Sequence, residues 1–413
     1  MTVFVLGGAQ TDFARRWSRE SLGTFEGMDE VLRSGADAAQ IELSEIDVTH
    51  VGNFAGEQFT GQGHLGGFVA SLDASLVGKP ASRHEAACAS GSVALLAAMA
   101  DIDAGYYDLA CVLGVEEMRN VDGEQAAKHL GAAAWVGKEA LEARYLWPFM
   151  FNELIDIVDQ RHGLDERHLW AFSEMAYKNA KRNPLAQSRR WSFSEASFSN
   201  DSDANPSIEG RIRRQDCGQV TDGAASMFLA SEAFATKWAA RRGVSLDSVP
   251  RLLGWGHRVG PMSLKEKIQL QPKSDEVLFP HVRDTVLDAR RRSGLSSSVD
   301  SIDAIELHDC FSITGYVLLE HLGLAPVGRA FEAIEDERIA LGGSCPVNPS
   351  GGLIGLGHPV GATGVRMLLD GWRQVSGSAG DMQVEGAKRV QTLNIGGSAT
   401  TAVSFILGFG DEA

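Results

Sequence analysis

The chain has 413 residues, 44% hydrophobic and 22% charged, a balance that excludes dominant disorder and gives room for two or three domains with a sizeable core. Its 38 lysines and arginines stand against 54 aspartates and glutamates, a formal charge of −16. Such a chain repels nucleic-acid phosphate and anionic membrane surface, so neither is expected as a partner, and an anionic small ligand would need a local basic patch.

Five cysteines (Cys88, Cys111, Cys217, Cys310 and Cys345), an odd number, form no CxxC pair, which argues against a disulfide framework or a structural zinc site and for a reducing compartment. No secretory signal and no apolar run of the ~18 residues a membrane span needs are visible, and a cytoplasmic location is expected. Val3–Leu6 reads as a strand and Leu109–Leu113 as another, ending at Gly114. Between them Val93, Leu96, Ala97 and Ala100 recur at helical spacing, as the buried face of a helix. That alternation predicts an α/β unit over residues 1–119, completed by 216–246. Residues 120–215 change character: Trp135, Tyr145, Trp147, Phe149, Phe151, Trp170 and Phe172 crowd several helical stretches. A Ser/Asn/Asp-rich loop over 197–207 and a basic knot at Arg211, Arg213 and Arg214 follow, and this zone reads as an insertion. A strand resumes at Ala225–Ala230. From 247 to 413 the alternation returns, with a strand before His308, a helix faced by Val365, Leu368, Leu369 and Trp372, and a last strand over Thr401–Leu407. Both α/β zones place a reactive residue ahead of an apolar-faced helix, which points to internal duplication.

Four segments carry chemistry. In His84-Glu85-Ala86-Ala87-Cys88-Ala89-Ser90-Gly91-Ser92 small residues surround one cysteine at a helix start, where positive potential favours thiolate; an inert buried thiol is the other reading. Asn348–Gly364 is glycine-dense but lacks dinucleotide or Walker spacing. It holds His358 extended before Pro359 at a helix mouth, where glycine lets chain segments and a ligand approach closely. His308-Asp309-Cys310-Phe311 joins a strand to a helix and could move protons or form a core cluster. Leu393-Asn394-Ile395-Gly396-Gly397-Ser398 is a glycine turn whose amides could stabilise an oxyanion.

In this order the four segments resemble the thiolase superfamily, and more narrowly its sterol-carrier-protein-2 type and related bacterial acetyl-CoA acetyltransferases. Gly114-Val115-Glu116-Glu117-Met118 and Thr221-Asp222-Gly223-Ala224-Ala225 are similar to further segments of the family. The resemblance implies a five-layered αβαβα sandwich of two duplicated halves with an inserted loop domain. It also implies a homodimer or homotetramer, and Claisen condensation or thiolytic cleavage of acyl-CoA thioesters, with no permanently bound cofactor. Cys88 is then the nucleophile, His358 its activator, His308 part of an oxyanion site through a water, and the amides of Cys88 and Gly396 a second oxyanion site. Asn394 stands where classical thiolases carry a second cysteine, and Cys310 is the candidate replacement acid/base. Arg211, Arg213, Arg214 and Ser263 are the candidates for holding coenzyme A, with Lys128, Lys138, Arg258 and Lys265 nearby in sequence. The other function class is a thiolase-like subunit that binds acyl-CoA but works only with a partner, such as a small zinc-ribbon and OB-fold protein; a CoA-linked retro-aldolase is its variant.

Overall fold

Short runs of apolar and small residues build eleven strands in the computed structural model, which describes residues 2–410. They are β1 (Val3–Gly7), β2 (Val48–Gly52), β3 (Ala81–His84), β4 (Leu109–Glu116), a separate hairpin of β5 (Ser207–Glu209) and β6 (Ile212–Arg213), then β7 (Gly223–Ala230), β8 (Arg251–Val259), β9 (Ala304–Leu307), β10 (Arg389–Gly396) and β11 (Thr401–Gly408). The other nine run in the order β3-β2-β4-β7-β1-β8-β11-β10-β9.

That order contains one plan twice. In the first half β2 lies parallel to β3 and β4, β4 antiparallel to β7, and β7 antiparallel to β1. In the second, β9 is parallel to β10, β10 antiparallel to β11, and β11 antiparallel to β8, while a parallel bridge from Ile305 to Val347 stands where the first half has β3. The halves join edge to edge through the pairs Val3–Leu252 and Phe4–Arg251.

Five layers follow from where the side chains pack. Helix α1 (Thr24–Ala39) buries Val31 and Leu32 against Phe4, Leu113 and Phe228 on one outer face. Helices α2 (Ser90–Asp103) and α7 (Val360–Val375) fill the middle. There Ala94, Leu95 and Ala98 of α2 and Val365, Leu368 and Leu369 of α7 meet Val112, Met227 and Leu229 from one half and Val390, Val403 and Phe405 from the other. On the far side α5 (Pro280–Arg292) and α6 (Ser312–Leu322) cover Ile305, Leu393 and Ile406. Strands covered on both faces explain why their sequences read as continuous apolar runs. Within the 120–215 zone, α3 (Leu146–His162) and α4 (Glu166–Ala180) pack with α6 in the same core as the second half, and β7 returns the chain to the first sheet.

Two expectations are corrected. Helix α2 buries Ala94, Leu95, Ala98, Met99 and Ile102, whereas Val93, Leu96 and Ala97 are half-buried and Ala100 is exposed. A helix apolar all round offers two candidate faces, and periodicity does not choose between them. Strand β4 passes through Gly114 to Glu116; a Cβ at Gly114 would lie 2.7 Å from Ala362 Cα, so the glycine serves close approach to α7 rather than chain termination.

Candidate active site

The strand β3 leads through Glu85 and Ala86 into a tight turn before α2. Ala87 sits at φ 51°, in the left-handed region that side chains disfavour, and Ser90 braces the turn by accepting from Ala86 N (2.9 Å) and donating to Ala87 O (2.6 Å). This raises Cys88 on the turn, partly buried, at the head of α2. The expected lowering of its pKa is not what the site does. Burial pushes the Cys88 thiol up to about 12, with the nearby Glu116 and Glu85 carboxylates adding to the rise, against the opposing amides of Gly397 and of Cys88 itself. Resting Cys88 is a neutral thiol that needs a base.

His358 supplies one. Its own amide donates to Thr221 Oγ1 (3.0 Å), and its Nδ1 lies 2.7 Å from Thr363 Oγ1 one turn into α7. Thr363 spends its own hydroxyl proton on Pro359 O (3.0 Å), so the hydrogen-bond network assigns the imidazole proton to Nδ1 and a free lone pair to Nε2. His308, buried after β9, is held the same way: its Nδ1 lies 2.8 Å from Asn394 Oδ1, while Asn394 Nδ2 donates to Cys88 O (3.1 Å) and Ser92 Oγ (3.0 Å). Both Nε2 atoms are buried without a hydrogen-bond partner among the described residues. Burial pushes His308 down to about 4 and His358 well below its usual value, with the neighbouring His308 and the Arg366 guanidinium lowering His358 further. The rings stand edge to face, 5.2 Å between centroids, and Cys88 Sγ and one nitrogen from each imidazole lie within 4.8 Å of one another.

Cys310 faces the same cavity, its sulfur 3.8 Å from Thr314 Oγ1; burial first, then the closeness of Cys88, keeps its thiol protonated. The cavity holds about 320 Å³ and is walled by apolar side chains including Phe54, Leu130, Trp147, Phe151 and Phe311. Of the aromatic residues that crowd the 120–215 zone, Tyr145, Trp147 and Phe151 line it. Trp135 is exposed, and Phe149 packs against the core instead.

The amide directed at the Cys88 sulfur is that of Gly397, which also lines the cavity, together with the amide of Cys88 itself. Gly396 instead lies against the turn, where a Cβ would come within 2.3 Å of Ala86 O. Among the coenzyme A candidates only Arg214 reaches the cavity wall. Arg211 is consumed by Asp159 (2.8 Å), Glu166 (2.6 Å) and Asp156 (3.3 Å), clamping α3 to α4. Arg213 donates to Asn205 O (2.8 Å), and Ser263 caps the short helix Leu264–Leu270. Arg258 pairs with Asp288 and Asp284. A charge run shows cations but not the carboxylates that the fold brings to them.

Two positioning residues lie inside the quoted segments, but their roles were not legible there. Asn394, read as a missing cysteine, orients His308 and ties the turn of Cys88 to β10. Glu116, at the end of β4, takes Asn53 Nδ2, Phe54 N, Ala55 N and Gly361 N at 2.9–3.0 Å, fastening the N-terminus of α7 to the first half.

Residues 3–165 match the family model for the thiolase N-terminal domain, and residues 265–409 match the thiolase C-terminal domain-like model. The chain belongs to the thiolase family. Across 98% of both chains this thiolase is 30% identical to an acetyl-CoA acetyltransferase of Methanothermobacter thermautotrophicus. It is also 30% identical to human sterol carrier protein 2, over its own whole length and 73% of that protein. Among solved structures it superposes on the Ltp2–ChsH2(DUF35) aldolase at TM-score 0.76 and 19% identity, covering 99% of this chain and 98% of that one. An acetyl-CoA acetyltransferase from Syntrophomonas wolfei superposes at 0.68 and 15% identity over 98% of each chain. At those identities the superpositions establish the thiolase fold alone. No helix among the described residues is long and apolar enough to cross a membrane.

Proposed function

We propose that this thiolase is an acyl-CoA C-acyltransferase that works through a covalent acyl group on Cys88. The observation that carries the reading is the convergence of the Cys88 sulfur with one nitrogen each of His308 and His358, beside an apolar cavity that Cys88, Cys310 and His358 line. His358 Nε2 takes the thiol proton as the sulfur attacks the thioester carbonyl, and returns it to the departing CoA thiolate. The amides of Cys88 and Gly396 are the donors assigned to the oxygen that gains charge in that step. For condensation, Cys310 gives its thiol proton to His358, neutral again once CoA has left, and the thiolate takes a proton from the α-carbon of the second acyl-CoA; His358 later returns its proton to the departing Cys88 sulfur. The enolate oxygen is met by His308 through a water, the new C–C bond forms at the acyl carbonyl, and Cys88 leaves; thiolysis runs these steps backwards. CoA thioesters are thus substrates rather than resident cofactors, and Arg214 is the cation placed to meet their polar portion.

Incubation with acetyl-CoA and longer acyl-CoA thioesters, followed by intact-mass analysis, should show one acyl adduct that Cys88→Ala lacks. Failure of wild type to take up any acyl group ends this reading. A homodimer is proposed as the working assembly, on the exposed edge of β3 and the half-buried apolar face of α2. A partner-dependent reading, including retro-aldol cleavage of a CoA-linked side chain with a zinc-ribbon and OB-fold protein, draws support from the likeness to the Ltp2–ChsH2(DUF35) aldolase and from Trp135, Val136 and Leu141, exposed at 43%, 72% and 75%. Turnover that appears only on adding such a partner would select it.

A further inference from the structure

The same three side chains have a property that acyl transfer does not require. We propose that Cys88, His308 and His358 form a binding site for a thiophilic divalent cation, Zn²⁺ in the first instance, and that the bound cation excludes acylation. The exclusion rests on the acyltransferase reading; the binding does not.

The argument begins with the ligand atoms. One sulfur and two imidazole nitrogens lie within 4.8 Å of one another, and a tetrahedral zinc with Zn–S and Zn–N bonds of about 2.3 and 2.0–2.1 Å sets such atoms about 3.4–3.6 Å apart. A side-chain movement of roughly 1 Å closes the gap. Each imidazole has its Nε2 left buried without a partner, and His308 is fully buried, so each Nε2 lone pair is free to bind. The opposite ring nitrogens are already engaged, by Asn394 Oδ1 at 2.8 Å and Thr363 Oγ1 at 2.7 Å. That is the outer arrangement that fixes a metal-binding imidazole in the right tautomer and orientation. The surrounding field is mixed: Glu85 and Glu116 act on the sulfur, and Arg366 acts on both imidazoles. With three protein ligands the fourth position opens into the cavity, where water completes the tetrahedron.

The reaction balances without a redox partner. Cys88–SH and Zn²⁺ give a Zn–S bond and one proton, released to buffer. An acylated Cys88 has no thiolate to offer, so acyl group and metal compete for one sulfur.

Co²⁺ is the probe, because a thiolate-bound tetrahedral cobalt shows a sulfur-to-metal charge-transfer band. Titration of the full chain should raise that band to one equivalent, and Zn²⁺ should erase it. Cys88→Ala should lack the band, His308→Asn and His358→Asn should weaken cobalt binding at least tenfold, and Cys217→Ser, which alters a different thiol on the cavity wall, should retain it. Circular dichroism of each variant separates loss of ligand from loss of fold. A wild-type protein that takes an acetyl group on Cys88 but gives no band overturns the metal site and leaves the acyltransferase standing; a band without acylation does the reverse. A band that survives in Cys88→Ala, or vanishes in Cys217→Ser, places the metal elsewhere and overturns the proposal.

Discussion

Histidine 308 shows what one buried side chain does to both chemistry and stability. Burial holds its pKa at about 4, against 6.5 for an exposed imidazole. Between those values the folded protein binds fewer protons there than the unfolded chain, so this contribution is complete above pH 6.5 and is lost as pH falls through 4. Two and a half units correspond to about 3 kcal/mol. His308→Asn keeps a donor for Asn394 Oδ1 and removes the titration. Urea denaturation at pH 7 and pH 4 should therefore show wild type losing about 3 kcal/mol more than the variant; equal losses would mean that His308 is not buried neutral. Cys310 permits a cleaner chemical separation, because acylation of Cys88 and removal of an α-proton are distinct steps. Cys310→Ala should still form the acyl adduct, while deuterium exchange at the α-carbon of acetyl-CoA falls at least about 100-fold, the scale of a lost general base. Unchanged exchange would remove Cys310 from the mechanism.

Helices α2 and α7 carry Cys88 and His358 at their N-termini, so the spacing of the helices sets the spacing of the reacting groups. They touch backbone to backbone. A Cβ on Gly364 would lie 2.3 Å from Ser92 N and Oγ and 2.8 Å from Asn394 Nδ2, and one on Gly91 would lie 2.7 Å from Gly361 O. Gly364→Ala must push the helices apart, at a cost of about 1–3 kcal/mol. A displacement near 1 Å at the reacting atoms lowers kcat by about 100-fold. Gly371→Ala, in the same helix but with its nearest neighbour at 3.4 Å, should instead leave kcat unchanged and hold or raise Tm. Thermal melts and kcat on both variants check this, and equal behaviour would deny that the contact sets the geometry. The glycine density that makes this contact possible was legible in the sequence, as were the cysteine turn, His358 before its proline, His308 after its strand, and the duplicated plan. What was not legible depended on partners distant in the chain. The carboxylates around Arg211 come from α3 and α4, the three hydrogen bonds of Asn394 reach residues about 86 and 300 positions away, and burial reverses the expected pKa shift of Cys88. The face α2 buries was hidden for another reason: both faces are apolar, and only the position of the two sheets decides.

Duplication at the scale of the whole molecule leaves one asymmetry. The second half ends at β9 with only a single bridge to Val347, whereas the first ends in the formed strand β3, whose outer edge carries unpaired backbone groups. Such an edge is a template for another strand, and a monomer normally blunts it. Here α2 adds the half-buried Val93, Leu96 and Ala97 and the exposed Ala100, all within the 19 residues that follow β3's first residue. Pairing of two copies across a twofold axis satisfies the edge and removes apolar surface from water at roughly 25 cal/mol per Å². β3 runs directly into the turn that holds Cys88, so the proposed interface would also steady the nucleophile. Light scattering should give twice the chain mass at micromolar concentration. Leu96→Glu, which sets like charges against each other at that face, should give monomers with a lower kcat and an intact far-ultraviolet spectrum. Wild type found as a monomer would deny the interface. A monomeric variant with full activity would show instead that the turn keeps its shape unaided, with Ser90 and Asn394 sufficient to hold it.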